Sequence, residues 1–330
     1  MPTPSHSCTY SLKEAARRFT APLLGIAVLL AVLHGARLLN LLPVPVAADL
    51  ERTILASKVK LASHTQPTPI VLVGDSSCMM NADALALSRN LGSEVLNLGT
   101  FSHLDLSAHA ALLRRRLESS TPAPRDILLL LHPSALKRSS SEPGFERFLA
   151  SRLQGDPILA ESPSRHPVEA VLGGAFLRER LLQPWIPSLL RKEFAVAYGT
   201  TWNIQRRLDQ QSGSLIDPTR FDAESLRGRY EFALGNGLEA ASREFRKAVP
   251  PNCRLWVGLT PVPESLALPG HADQVAGLQM TLTDWLAPAI GLTNLPTTLP
   301  DTLFATATHL NSQGVTTWTE TLAREIKQAR

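Results

Sequence analysis

The stretch Ile70-Val71-Leu72-Val73-Gly74-Asp75-Ser76-Ser77 is an apolar run that stops abruptly at Gly-Asp-Ser. A short, continuously apolar run bounded by a turn is typical of a strand buried on both faces of a parallel sheet. The residues that follow such a strand lie at the carboxyl edge of the sheet, where α/β proteins bind their ligands. The pattern therefore predicts that the hydroxyl of Ser76 is presented at this edge. A simpler hypothesis is that Ser76 only caps the helix that follows.

Apolar runs and helical patterns alternate along much of the remaining chain. Further short apolar runs occur at 95–98, 126–131, 254–259 and 289–292. Apolar residues at helical spacing occur between and after them, at 82–91, 105–118, 237–248, 272–285 and 312–328. Buried strands that alternate with helices favour a parallel sheet covered on both faces. The predicted fold class is α/β, a three-layer α/β/α sandwich over residues 68–330.

The middle of the chain, at about 134–236, interrupts this alternation and is predicted to be a helical insertion. It holds a polar run at 137–141, many prolines and an amphipathic stretch at 167–195 that contains Trp185. The apolar face of that stretch could cover the active site, bind a partner, rest on a membrane or pack on the parent domain. These alternatives stay open at the level of sequence.

The N-terminal segment is predicted to anchor the chain in a membrane. Residues 19–36 contain no Asp, Glu, Lys or Arg and approach the roughly 20 residues that span a bilayer. Lys13, Arg17 and Arg18 lie on the amino side of this segment, and positive residues of this kind stay in the cytoplasm. The alternative is a signal peptide cleaved near 46–48.

This orientation predicts the order of the segments and the location of the domain. Residues 1–18 form a cytoplasmic tail, 19–42 the transmembrane anchor and 43–67 a linker, before the domain at 68–330. The protein is then a single-pass protein of the inner (cytoplasmic) membrane, and its domain is periplasmic or extracellular.

Charge and cysteine content argue against a nucleic-acid-binding protein and against a domain stabilised by disulfides. The formal net charge is +4, but residues 1–48 hold +3 of it, so the domain has no basic face of the kind that binds nucleic acid. Of the three cysteines, Cys8 is predicted to be cytoplasmic. Cys78 follows one strand and Cys253 begins another, which separates the two by about the length of a strand and predicts no disulfide.

A histidine motif near the C-terminus complements the serine. His309-Leu310-Asn311, with Gly314 three residues later, precedes the last helical pattern. A histidine at the end of the last loop is a candidate general base for Ser76, because a serine hydroxyl is too weakly acidic to attack an ester unaided. A capping or surface role for His309 is the alternative.

The motifs together resemble those of the SGNH (GDSL) hydrolase superfamily. Gly74-Asp75-Ser76 is similar to its first block, Asn97-Leu98-Gly99-Thr100 to its second, and the His309 motif to its last. The resemblance covers about 68–132 and 250–330 and implies a flavodoxin-like sheet. It also implies that Ser76 is the nucleophile, that His309 is the base, and that the oxyanion contacts come from Ser76, Gly99 and Ser102. It implies no metal and no organic cofactor.

The chain departs from the family pattern at two places. Thr306 stands three residues before His309, where the family has the aspartate that orients the histidine, and Asp301 is the nearest carboxylate in sequence. His132-Pro133-Ser134-Ala135 stands where the family has Gly-x-Asn-Asp with its oxyanion asparagine. Asp75 is expected to hydrogen-bond across the end of the sheet.

Five further residues are either part of the site or purely structural. His132 is expected either to line the pocket or simply to pack, and Asn97 is a possible supporting residue of the second block. Cys78 is expected to be a small buried residue rather than a nucleophile. His103 and His109 lack metal-ligand spacing.

Three functions are compatible with these observations. The first is an outward-facing esterase or O-acyltransferase that acts on acyl esters of cell-envelope polysaccharide, with envelope assembly proteins as possible partners. The second is a domain of the same fold that has lost turnover and binds a glycan or an assembly partner. The third is an esterase of small acyl esters. The first two differ in whether Ser76 forms an acyl-enzyme.

Overall fold

The structure is a computed structural model, and it describes residues 12–38, 50–138, 140–155, 201–216 and 232–330. The chain divides into two compact units, with the boundary between residues 44 and 45. In the first unit, helix α1 spans Leu12–Leu38 and exposes large apolar side chains such as Phe19 and Leu24. Within the described residues, however, no helix is both long enough and apolar enough to cross a membrane. The predicted transmembrane anchor at 19–42 is therefore not found.

The second unit contains a five-stranded sheet in the order β2-β1-β3-β4-β6, and every strand pair in it is parallel. The strands are β1 (Ile70–Gly74), β2 (Val95–Asn97), β3 (Asp126–Leu131), β4 (Arg254–Leu259) and β6 (Ala289–Gly291). Two short strands, β5 (Val262–Pro263) and β7 (Thr298–Leu299), pair separately. The predicted α/β fold with a parallel sheet is confirmed. The strand order is that of a doubly wound sheet whose ligand crevice lies between β1 and β3.

Helices cover both faces of this sheet, which explains why its strands are continuously apolar. Leu72, Leu128 and Trp256 belong to one apolar cluster, whereas Val71, Leu129 and Val257 belong to the other. The helices of the second unit are α2 (Leu50–Ala62), α3 (Ser76–Asn81), α4 (Ala84–Leu91), α5 (Leu106–Ser119), α6 (Pro143–Gln154), α7 (Thr201–Gln210), α8 (Leu238–Ala248), α9 (His271–Trp285) and α10 (Ser312–Gln328). Short 3₁₀ turns lie at Pro133–Lys137, Glu264–Leu266 and Asp301–Leu303.

Helix α2 corrects the prediction of a linker at 43–67. Its residues Ile54, Leu55 and Val59 are buried in the larger apolar cluster, so the domain begins before residue 68. The ammonium group of Lys58, also buried, donates to the carbonyl of Asn97 at 2.9 Å and to that of Gly213. Helix α2 is thus tied to the end of β2 and is part of the sandwich.

The described parts of the predicted insertion pack on the parent domain. Phe145 and Phe148 of α6, Ile204 and Leu208 of α7, and Phe232 are buried in the larger apolar cluster. The amphipathic stretch at 167–195, with Trp185, lies outside the described residues.

Candidate functional site

The candidate site is formed by two residues that lie far apart in sequence. Ser76 is the first residue of α3, directly after β1, and His309 lies in the loop before α10. The Nε2 atom of His309 is 2.9 Å from Oγ of Ser76, and both residues are half-buried. A hydroxyl within hydrogen-bond distance of an imidazole nitrogen is the geometry of a nucleophile with its general base.

The structure distinguishes Ser76 from its neighbour Ser77. The hydroxyl of Ser77 donates to Oδ1 of Asp75 at 2.6 Å, and its backbone N–H donates to the same atom at 2.9 Å. Asp75 is the N-cap of α3, and these bonds are typical of a capping aspartate. The hydroxyl of Ser77 is therefore bonded to the capping aspartate, whereas that of Ser76 contacts the histidine.

Gly74 and Asp75 explain why the serine follows Gly-Asp. Gly74 has φ +155°, and a Cβ atom there would lie 1.8 Å from the carbonyl oxygen of Leu130. Oδ2 of Asp75 accepts the backbone N–H of His132 at 3.0 Å, which confirms the predicted bond across the sheet end. Asp75 is 2% exposed. Burial raises the pKa of Asp75, although its hydrogen bonds with Ser77 and His132 act in the opposite direction.

Thr306, which stands at the family's aspartate position, and Asp301, the nearest carboxylate in sequence, both accept hydrogen bonds from backbone groups. The hydroxyl of Thr306 accepts the backbone N–H groups of Thr308 and His309, so it shapes the loop through the main chain. Asp301 accepts the backbone N–H of Ser265 at 3.0 Å. Both residues therefore organise the backbone, and none of these three hydrogen bonds involves the imidazole.

Asn81 is a residue of the site that the sequence analysis missed. It is fully buried at the end of α3, and its Oδ1 accepts the backbone N–H of Leu310 at 2.9 Å. Its amide nitrogen donates to the carbonyl of Thr308 at 3.2 Å. The helix that begins with Ser76 thereby holds the backbone on both sides of His309. An asparagine inside a helical pattern carries no local signal of this role.

The residues after His309 explain the rest of that motif. Asn311 is the N-cap of α10 and accepts the backbone N–H groups of Gln313 and Gly314. A Cβ atom at Gly314 would lie 2.1 Å from the carbonyl oxygen of Leu303. The motif thus starts the last helix and packs it closely against the loop that carries His309.

The loop after β2 uses the backbone N–H groups of Gly99 and Thr100 for its own hydrogen bonds. The backbone N–H of Gly99 donates to Oδ1 of Asn97 at 2.8 Å, and that of Thr100 donates to the carbonyl of Gly74 at 2.9 Å. In this structure the Gly99 N–H therefore serves the loop, and its contact with an oxyanion stays a prediction. Ser102 is exposed in the next turn, and its N–H forms no hydrogen bond within the described part of the chain.

Asn97 is a structural support rather than a reacting group. Its amide nitrogen donates to the carbonyls of Cys78 and Ala82 and to the hydroxyl of Ser214. Cys78 is buried beside it as a free thiol, with Sγ 3.6 Å from Oδ1 of Asn97. Burial raises the pKa of this thiol far above its ordinary value, which leaves Cys78 unreactive.

The backbone N–H of Ser76 is the remaining donor at the nucleophile itself. Asp75 accepts the N–H groups of Ser77 and Cys78, whereas the N–H of Ser76 forms no hydrogen bond within the described residues. A backbone donor next to the nucleophile is suited to an oxyanion that forms on the attacked carbonyl.

His132 lies next to the Ser76 turn in a buried aromatic group. Its ring centroid is 6.3 Å from that of Phe232, which is 5.4 Å from that of His271. Burial, followed by the nearby His309 and His271, lowers the pKa of His132 to about 3. The ring is therefore neutral at physiological pH.

Comparisons with protein-family models and with curated proteins found no match to this chain. Within the described residues, no group of His, Cys, Asp and Glu side chains is arranged to hold a metal ion. The functional assignment consequently depends on the geometry of Ser76 and His309.

Proposed function

We propose that this protein is a serine esterase or O-acyltransferase of the SGNH type, with Ser76 as nucleophile and His309 as general base. The observation that carries the proposal is the 2.9 Å separation between Nε2 of His309 and Oγ of Ser76. Ester bonds suit this pair, because a neutral imidazole can accept the serine proton as the hydroxyl attacks a carbonyl carbon.

The first half of the reaction forms an acyl-enzyme. Oγ of Ser76 adds to the carbonyl carbon while its proton moves to Nε2 of His309, and the carbonyl oxygen becomes an oxyanion near the Ser76 N–H. When the carbonyl re-forms, the bond to the alcohol oxygen breaks, and the leaving alcohol takes the proton from His309. The acyl group is then esterified to Ser76.

The second half of the reaction regenerates the serine. Water or an acceptor hydroxyl gives its proton to His309 and attacks the acyl carbon, and Ser76 recovers the proton as it leaves. With water the outcome is hydrolysis, and with a sugar hydroxyl it is acyl transfer. Both outcomes use the same residues.

The proposed substrates are acyl esters, with those of cell-envelope polysaccharides as the preferred class. The polysaccharide class follows from the resemblance of the Gly74-Asp75-Ser76 and His309-Leu310-Asn311 motifs to SGNH enzymes, and from the proposal that the domain faces outward.

A binding domain without turnover is the second candidate function. Two observations favour it: Thr306 contacts the His309 main chain in place of an aspartate, and the Gly99 N–H donates to Asn97. In serine triads generally, removal of the orienting carboxylate's charge costs about 10⁴ in rate. A measurement of the reactivity of Ser76 distinguishes a slow Ser-His enzyme from an inactive domain.

Labelling of the full chain with a fluorophosphonate probe tests the proposal. We expect wild type to be labelled, with the phosphonate on Ser76 and not Ser77 by peptide mass spectrometry. Ser76→Ala and His309→Ala should lose the label. Ser93→Ala and His64→Ala serve as controls, because both residues precede strands at the opposite, amino edge of the sheet. Folded wild type that fails to label would support the binding function instead.

A further inference from the structure

The turn at 211–215, which follows helix α7, lies against the end of the edge strand β2. The backbone N–H of Asn97 donates to the carbonyl of Ser212 at 2.8 Å. Gly213 has φ +88°, and a Cβ atom there would lie 2.0 Å from the carbonyl oxygen of Asn97. Glycine is the residue that permits both this conformation and this close approach. The turn belongs to the insertion predicted at about 134–236, so the insertion reaches the sheet at β2.

The same turn provides hydrogen bonds for the helix that begins with Ser76. That helix, α3, has only six residues, and the last carbonyl groups of a helix have no partner inside it. The backbone N–H of Leu215 donates to the carbonyl of Met79 at 3.0 Å. The side-chain amide of Asn97 donates to the carbonyl of Cys78 at 2.8 Å. The turn and the end of β2 therefore bind the carboxyl end of α3.

The hydroxyl of Ser214 joins this end of α3 to the start of α4. It donates at 2.7 Å to the carbonyl of Ala82, the residue that follows α3. It accepts the backbone N–H of Ala84 at 3.0 Å and the amide of Asn97 at 3.2 Å. A serine hydroxyl has one donor site and two acceptor sites, so all three are in use. Because Ser214 is fully buried, an alanine there would remove a partner from each of these groups.

The opposite end of α3 carries the nucleophile. Oγ of Ser76 lies 2.9 Å from Nε2 of His309, and Asp75 caps the helix at this end. A helix of six residues is too short to be stable alone in water, so its position depends on the groups that bind its two ends. A displacement of about 1 Å between reacting groups can cost about 100-fold in rate. The bonds at the carboxyl end of α3 consequently bear on the reactivity of Ser76.

We propose that Ser214 is a positioning residue of the candidate site: its hydroxyl holds the carboxyl end of α3 and thereby fixes the place of Ser76 relative to His309. The proposal rests on the proposed function. Ser214 acts through the helix and exchanges no proton with the reacting groups. The insertion thus supplies part of the geometry of the nucleophile, in addition to its packing on the parent domain.

Substitutions of Ser214 test the role of its hydroxyl. Ser214→Ala removes the hydroxyl, whereas Ser214→Thr keeps it. The readout is the second-order rate constant for fluorophosphonate labelling of Ser76 in the full chain. We expect this constant to fall about 10- to 100-fold in Ser214→Ala, because the hydroxyl of Ser76 is misplaced, and to recover largely in Ser214→Thr. A folded Ser214→Thr that labels as slowly as Ser214→Ala would contradict the role of the hydroxyl.

Ser242→Ala is the matched control for a general loss of stability. Ser242 is also fully buried, and its hydroxyl donates at 2.8 Å to the carbonyl of Leu238 within its own helix, α8. Both alanine variants remove a buried hydroxyl, so both should unfold at lower urea concentration than wild type. Only Ser214→Ala should label slowly. Equally slow labelling in Ser242→Ala would show that destabilisation alone lowers the rate, which contradicts the proposal.

Nitrogen NMR of ¹⁵N-histidine-labelled protein examines the contact between the nucleophile and its base. The ring resonances of His309 are assigned by their absence in His309→Ala, and Ser76→Ala shows how they shift when the serine hydroxyl is removed. We expect Ser214→Ala to shift them in the same direction as Ser76→Ala, and Ser242→Ala to leave them unchanged. A purely structural role of Ser214 would leave the resonances of His309 at their wild-type positions.

The outcomes that contradict this inference differ from those that contradict the proposed function. Wild-type labelling and wild-type His309 resonances in folded Ser214→Ala overturn the role of Ser214 and leave the Ser-His function intact. Labelling that persists in Ser76→Ala, or is absent in folded wild type, overturns the proposed function. If Ser214→Ala does not fold, Ser214→Cys decides, because a thiol is only a weak donor and acceptor. Labelling of Ser214→Cys at the wild-type rate overturns the proposal.

Discussion

Oδ1 of Asn81 accepts the backbone N–H of Leu310 at 2.9 Å, across 229 positions of sequence. The same side chain donates to the carbonyl of Thr308, so it holds the main chain on either side of His309. Because Asn81 ends the six-residue helix that Ser76 begins, one short helix positions both the nucleophile and the loop of its base.

Replacement of Asn81 by alanine should reduce both stability and reactivity. The N–H of Leu310 and the carbonyl of Thr308 would lose their partner, which typically lowers the free energy of unfolding by about 1–3 kcal/mol. The loop would also no longer hold His309 in position next to Ser76. We therefore expect labelling of Ser76 to slow by about tenfold or more. Chemical denaturation and labelling rates measure the two effects. Asn90→Ala on α4 is the control, and an unchanged labelling rate in Asn81→Ala would show that Asn81 serves stability alone.

Asp75→Asn should destabilise the protein by about 1–3 kcal/mol, because buried donors would lose an acceptor. The carboxylate accepts from the Ser77 hydroxyl and from the backbone N–H groups of Ser77 and His132, whereas an amide offers only one oxygen. Asp83 is a matched control, since it caps α4 through the N–H groups of Leu85 and Ala86 alone.

Thermal and chemical unfolding of both aspartate variants test this prediction. Asparagine and aspartate are about equal as N-caps, so Asp83→Asn should be nearly neutral. Equal losses in the two variants would contradict the role of Asp75 in joining β1 to β3.

Gly74→Ala should prevent folding or cost more than about 4 kcal/mol. The added Cβ would lie 1.8 Å from the carbonyl oxygen of Leu130 on the central strand, at φ +155°, and neither backbone can move without breaking the sheet. Gly277→Ala on α9 is the control, because no atom lies within 4 Å of its added Cβ. That change should stabilise the helix by up to about 1 kcal/mol. Soluble, wild-type-like Gly74→Ala would contradict the close approach of β1 and β3.

The buried ammonium of Lys58 should make stability depend on pH in the alkaline range. Burial lowers the pKa of Lys58 to about 7, whereas in the unfolded chain a lysine has a pKa of about 10.4. Between these values the unfolded state binds a proton that the folded state lacks, so the free energy of unfolding rises with pH across this window.

Urea denaturation at pH 7 and at pH 9.5 checks this prediction. We expect the increase of stability with pH to be smaller in Lys58→Met than in wild type. Lys60→Met is the control, because the Lys60 side chain is 50% exposed in an ion pair with Asp209. If all three proteins show the same pH dependence, Lys58 does not titrate in the folded state as expected.

The strands and most of the helices were predictable because their signals are local. The run at 70–73 became β1, the run at 126–131 became β3 with the same bounds, and the helix at 312–328 begins and ends as predicted. Apolar periodicity and capping residues such as Asn311 are properties of neighbouring positions, so they survive in the sequence alone.

Errors occurred where tertiary packing determines the outcome. Residues 50–62, which lie within the predicted linker at 43–67, form helix α2. Lys58 in this helix is buried, because the carbonyls of Asn97 and Gly213, far away in sequence, receive its ammonium group. No window of sequence contains both the donor and its acceptors.

The candidate site likewise contains residues that the sequence predicted and contacts that only tertiary packing determines. Gly74-Asp75-Ser76 and His309 were found from motifs, because the steric demand at Gly74 and the cap at Asp75 require particular residue types at fixed positions. The bond from the Gly99 N–H to Asn97 depends on the closing of the fold, as does the bond from the Leu310 N–H to Asn81. A residue's type states which hydrogen bonds it can form, and only packing determines which partner is close enough to form them.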